Sequence, residues 1–75
     1  MYQPKENDYV LITNSNSSDY LQIGKIVDTV KCEHDDYINT YVVEFYDKIL
    51  RISYRMAYKG TMFEDGEAKV LEFKR

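Results

Sequence analysis

Residues 39–55 carry the pattern that most limits what this chain can fold into. Tyr41, Val43 and Phe45 alternate with Thr40, Val42, Glu44 and Tyr46 over 39–46, the period of a strand with one face better buried than the other. Asp47-Lys48 reads as a tight reversal, and Ile49 to Tyr54 as the returning strand. Leu50, Ile52 and Tyr54 then share one face, with Arg51, Ser53 and Arg55 on the other. Two alternating runs joined by a short polar turn form a β-hairpin. No stretch of the chain offers a comparable helical period.

The remaining residues extend this β pattern. Residues 1–7 form a polar lead-in containing Pro4, which has no N–H to give to a ladder. Residues 8–13 read as a strand, with Val10 and Ile12 on one face and Tyr9 and Leu11 on the other. Asn14-Ser15-Asn16-Ser17-Ser18-Asp19 is a loop, because each of these side chains competes for backbone hydrogen bonds. Residues 20–31 form a second strand in which Gly24 marks a bulge or a close backbone approach. Residues 32–36 are a polar, acidic turn. Met56-Ala57-Tyr58-Lys59 suits one turn of helix, Asp65-Gly66 marks a turn, and residues 69–73 form a last strand.

At 75 residues the chain holds one domain, 1–75, with a thin core. Area scaling gives roughly 4,800 Å² of folded surface, too little material for a deep catalytic cleft. About five short strands therefore predict an all-β fold closed into a small barrel, which removes sheet edges. One cysteine, Cys32, forms no internal disulfide, and a cytoplasmic setting follows as the simpler expectation. The longest apolar run is Tyr9-Val10-Leu11-Ile12, against the roughly 20 residues of a membrane span. No membrane association is expected.

Asp8-Tyr9-Val10-Leu11-Ile12, Gly24-Lys25-Ile26-Val27-Asp28 and Tyr41-Val42-Val43-Glu44-Phe45 together resemble the first three strands of SH3-like barrels of the KOW and Tudor type. The resemblance covers about residues 8–55. It implies an SH3-like barrel and, from the KOW side, contact with RNA or DNA. The glycine-rich lead-in of the KOW motif is replaced here by the Asn/Ser loop, and residues 56–68 are longer than the usual single turn before the last strand.

Catalysis and metal binding find little material. Cys32 and His34 lie two residues apart on an extended segment and do not converge, and no glycine run offers an oxyanion hole. Two N/S ligands fall short of the four a structural zinc site uses. The chain is expected to be neither an enzyme nor a cofactor protein.

Charge and aromatic content point to binding. The net charge is −3, made of −2 over residues 1–24, −3 over 25–48 and +2 over 49–75. Asp28, Glu33, Asp35 and Asp36 concentrate negative charge beside Tyr37, a patch suited to steering toward a basic partner surface. Eight tyrosines exceed what so small a core can bury. Tyr41, Phe45, Tyr54, Phe73 and either Tyr9 or Leu11 are expected inside. Tyr2, Tyr20, Tyr37, Tyr46 and Tyr58 are left near the surface, where tyrosine favours protein contacts.

The resulting expectation is a non-catalytic protein-binding module using Asp28, Glu33, Asp35, Asp36, Tyr37, Tyr20 and Tyr58, as a monomer or weak homodimer. Tyr, Ile, Lys, Asn and Phe, types with AT-rich codons, make up 28 of 75 residues. That bias points to a low-GC bacterium or its phages, and to a small regulator or inhibitor carried by a phage or mobile element and acting on a host protein. The alternative is a nucleic-acid-binding barrel contacting phosphate and bases through Tyr46, Arg51, Ser53 and Arg55.

Overall fold

The expected hairpin forms, with different limits. In the computed structural model, which describes residues 4–34 and 37–71, residues Ile38–Asp47 and Ile52–Lys59 pair as antiparallel strands. With Tyr9–Ile12 as β1 and Ile23–Lys31 as β2, these two are β3 and β4, and Ala68–Leu71 is β5. The five strands make one antiparallel sheet in the order β4-β3-β2-β1-β5.

The one-turn helix expected at Met56–Lys59 is replaced by the second half of β4. Its inward positions explain why: Tyr41 faces Tyr58, Val43 faces Met56 and Phe45 faces Tyr54 across the ladder. Cross-strand packing of large rings outweighs the weak local preference of a four-residue segment. The irregular stretch shrinks to 60–67, held by Met62 N–H to Lys59 O (3.0 Å) and Asp65 N–H to Thr61 O (2.9 Å).

The reversal also differs from the two-residue turn expected. Asp47 Oδ1 accepts the N–H groups of Ile49 (2.9 Å) and Leu50 (3.0 Å), and Arg51 adopts a left-handed φ of 56°. Capping by the aspartate carries the chain through residues 48–51 before β4 begins. Leu50 consequently leaves the strand and stands in solvent.

One face of the sheet supplies the core. Val10, Ile12, Ile26, Tyr41, Val43 and Phe45 are buried by alternation, and Ile38, Met62 and Ala68 complete the cluster. Tyr54, Tyr58 and Phe63 pack against it. The extra residues Val27 in β2 and Asn39 in β3 shift the register, and such bulges bend a sheet around its own core. Gly24 is the close approach anticipated above, but the bulge in β2 lies three residues later. Of the other residues expected inside, Tyr9 is exposed, Leu11 is half-buried and Phe73 lies outside the described residues; so does Tyr2, expected at the surface.

The accessible surface is 5973 Å², above the roughly 4,800 Å² that scaling gives for a chain of this mass. Several large apolar side chains of the described residues are exposed, Ile49 and Leu50 the most.

Candidate functional site: an apolar surface beside a tyrosine–aspartate clamp

The Asn/Ser loop folds across the sheet rather than away from it. Its last residue, Asp19, is only 4% exposed. Its Oδ1 accepts the Tyr54 hydroxyl at 2.9 Å and its Oδ2 the Tyr58 hydroxyl at 2.8 Å. Two phenol donors on one carboxylate satisfy a charge that would otherwise be expensive to bury. The Asp19 amide donates to Ser17 Oγ (3.1 Å), and its carbonyl accepts Gln22 N–H (2.9 Å). The clamp therefore ties the β1–β2 loop to β4.

Burial and the Asp19 carboxylate both raise the Tyr58 phenol far above its ordinary value, against a smaller lowering from Ser17. Burial, then Asp19, raise Tyr54 in the same way, and burial raises Tyr41, whose hydroxyl donates to Pro4 O (3.4 Å). Native tyrosines thus hold their protons more tightly than unfolded ones, so stability falls as pH rises above the ordinary tyrosine value near 10. The expected result is a melting temperature unaffected by these groups below pH 10 and falling above it, with part of the tyrosinate absorbance, that of Tyr41, Tyr54 and Tyr58, appearing only together with unfolding. Full ionisation of all phenols in a chain that stays folded would contradict it.

Beyond the clamp the chain turns its large apolar side chains outward. Leu21 holds a left-handed φ of 64° and is exposed, as are Tyr20 and Ile23. Across from them, Tyr46, Ile49, Leu50 and Ile52 surround the β3–β4 reversal, with Ile49 at 92% and Leu50 at 65% exposure. An open groove of about 430 Å³ lies between Gln22 and the reversal, lined by Gln22, Tyr46, Asp47, Lys48, Ile49 and Tyr54. The sheet register extends the same surface, because Leu11 pairs with Ile23 and Tyr46 with Ser53 on the outer face. Left-handed backbone at two large non-glycine residues, Leu21 and Arg51, borders this region. Such strain persists only where surrounding structure enforces it.

The residues expected to form the acidic site are spread out. Asp28 lies on the outer face of β2 opposite Val42, its Oδ1 accepting Thr29 N–H (2.8 Å). Glu33 and Tyr37 are exposed near the far end of β2, where the Cys32 thiol raises the Tyr37 phenol by a side-chain hydrogen bond. Asp35 and Asp36 lie outside the described residues. Tyr20 precedes the opposite end of β2, roughly 25 Å away along a nine-residue strand. Tyr58 is half-buried, its hydroxyl on Asp19.

The residues of the nucleic-acid alternative sit closer together. Tyr46 faces Ser53 directly, and Arg55 lies two pairs further along, opposite Glu44. Arg55 Nε contacts Glu44 Oε2 at 3.1 Å, while Arg51 belongs to the reversal. Among the described residues, no three His, Cys, Asp or Glu side chains gather to hold a metal ion, and no helix is long and apolar enough to cross a membrane.

The sequence pointed to Tyr20 and Tyr46 but missed Asp19, Leu21, Ile49 and Leu50. Asp19 was hidden in a run of loop formers, and Ile49 and Leu50 in an apparent strand. A signal existed for the latter: Asp47 two residues before Ile49 is a side-chain cap for a longer turn. No protein-family model, curated protein or solved structure matches this chain.

Proposed function

We propose that the protein is a non-catalytic binding module that docks a partner protein on the surface made by Leu21, Ile23, Tyr46, Ile49, Leu50 and Ile52. The observation that carries this reading is the exposure of those six side chains, two of which, Tyr46 and Ile49, line one groove. At roughly 100 Å² apiece they offer on the order of 600 Å², the upper end of the apolar patches found on ordinary monomers. Tyrosine and branched aliphatics in such a patch supply contact area at low entropic penalty. The acidic residues Asp28 and Glu33 act at a distance, steering approach rather than forming the contact.

We further read the sheet as an SH3-like barrel. The order β5-β1-β2-β3-β4 and the bulged, long β2 and β3 support this. A small regulator or inhibitor, of the kind a phage or mobile element carries into a cytoplasm, fits a binding domain of this size. The nucleic-acid reading draws support from Tyr46 beside Ser53, but the Glu44 carboxylate on Arg55 opposes phosphate there.

The test compares wild type with an Ile49→Asp/Leu50→Asp variant as bait in lysate of the encoding organism. Both side chains are solvent-exposed, so the variant is expected to melt within about 2 °C of wild type and to lose its captured protein by at least tenfold. Equal capture by the two baits would sink the surface. Salt-sensitive oligonucleotide binding lost in Arg51→Ala/Arg55→Ala would favour the nucleic-acid reading instead.

A further inference from the structure

The open edge of β4 has its own chemistry. The Gly60 amide donates to the Asn39 carbonyl at 2.6 Å, and the register from Thr40/Lys59 to Asp47/Ile52 runs without a shift. Alternate pairs of an antiparallel ladder exchange hydrogen bonds. A bonded Asn39/Gly60 pair therefore makes Tyr41/Tyr58, Val43/Met56 and Phe45/Tyr54 the bonded pairs of this hairpin. The peptide groups of Ser53, Arg55, Ala57 and Lys59 then face away from β3. Lys59 gives its carbonyl to the Met62 amide. Among the described residues β4 has β3 as its one strand neighbour, and all four of these residues are exposed.

Edge strands are commonly blunted by proline, a bulge or brevity. β4 has eight residues, a regular register and no proline. Its remaining edge feature is positive charge. Residues 48–59 contain Lys48, Arg51, Arg55 and Lys59 and no acid, in a protein whose net charge is −3. Ser53, Arg55, Ala57 and Lys59 share the outer face, so the free peptide groups and two of the cations are presented together.

We propose that β4 accepts an extended acidic segment of a partner protein as an added strand, its carboxylates facing Lys59 and the terminal guanidinium nitrogens of Arg55, whose Nε is held by Glu44. Backbone pairing supplies the affinity and the cations the selectivity. A second copy of the chain is the poorer occupant. Pairing two β4 strands in one continuous sheet places both copies' Arg55 and Lys59 on the same face, four like charges together. A nucleic acid meets the cations but leaves the outward carbonyls without donors. This inference rests on the binding-module reading, though not on the apolar surface.

The experiment titrates the full chain with the peptide Thr-Val-Glu-Val-Glu-Val-Glu-Val-Thr and with its counterpart carrying Lys for Glu. The acidic peptide is expected to bind at least about tenfold more tightly, a difference of about 1.4 kcal/mol. On binding, the amides of Ser53, Arg55 and Ala57 become protected from hydrogen exchange. Ala57→Pro removes one outward N–H without touching the β3–β4 ladder, and is expected to lose the peptide while keeping its melting curve. Arg55→Glu/Lys59→Glu, which decides the matter if the proline variant unfolds, is expected to prefer the basic peptide. Unchanged binding by a folded Ala57→Pro, or no new protection at those three amides, overturns the proposal. So does a dimer already protected there without peptide, or a single-stranded oligonucleotide that binds both variants like wild type. The Ile49→Asp/Leu50→Asp variant retains peptide binding, which separates this edge from the apolar surface.

Discussion

Asp19→Ala is expected to lower the melting temperature by about 12–24 °C. Each tyrosine hydroxyl on the Asp19 carboxylate is a hydrogen bond to a charged group, worth about 1.5–3 kcal/mol. Tyr54 and Tyr58 are only half-buried, so water recovers part of the loss and the lower end applies to each. The total is then about 3 kcal/mol, and a domain of this size loses about 4–8 °C per kcal/mol. Asp19→Asn keeps both contacts, with its amide donating to one phenol oxygen, and is expected to fall between wild type and Ala. Tyr54→Phe/Tyr58→Phe leaves the buried carboxylate without its phenol donors, and is expected to be at least as damaging as Asp19→Ala. Thermal melts of these variants in parallel give the check. An Asp19→Ala protein within about 3 °C of wild type would mean that the loop is not held by the clamp.

The second large effect is at Gly24. β propensity favours valine over glycine in a strand by up to about 1 kcal/mol, so the sequence alone predicts that Gly24→Val stabilises β2. The packing predicts the reverse. A Cβ at Gly24 would overlap Val43 Cγ1 and come within 2.7 Å of Phe45 Cε1. Both neighbours are themselves buried, and Phe45 stacks on Tyr54 with ring centroids 5.4 Å apart, so neither can yield freely. Over-packing of this kind costs about 1–3 kcal/mol, and the branched valine lies at the upper end. Total stability for 75 residues is about 4–11 kcal/mol, so the variant gives up a large share of it. Chemical denaturation settles the sign. A Gly24→Val protein as stable as wild type would show that the Val43–Phe45 layer has room to spare. Val43→Ala in the same background is expected to restore part of the loss, since the two sites share one volume.

Neither effect is visible from local pattern, and the reasons differ. Asp19 ends six consecutive loop-forming residues, and nothing in that run distinguishes the one that turns inward. Its partners are 35 and 39 residues away in the chain. Gly24 was readable as a close approach, but the atoms it approaches belong to β3. The helical turn expected at Met56–Lys59 failed because Tyr58 and Met56 gain more from facing Tyr41 and Val43 than from a local turn. Ile49 and Leu50 looked like strand residues because Asp47 and Lys48 sufficed for a hairpin loop. The left-handed Arg51, which delays β4, carries no compositional signal.

The sequence by itself determined the all-β character, the antiparallel hairpin and most of the inward face, because alternation with period two is a local property. Val10, Ile12, Ile26, Tyr41, Val43 and Phe45 are the core residues that such alternation selects. The tertiary structure alone decided that Tyr58 joins Tyr54 on the inner side, both phenols meeting Asp19 there, and that Tyr9 stays exposed. It also brought Gln22 to Tyr46 and Ile49 across one groove, exposed Leu21, Ile23 and Leu50, and left the Ser53–Lys59 edge open among the described residues. Those arrangements depend on contacts between segments roughly 25–40 residues apart, and the closure of such distances is set by the whole fold and not by any window of the chain.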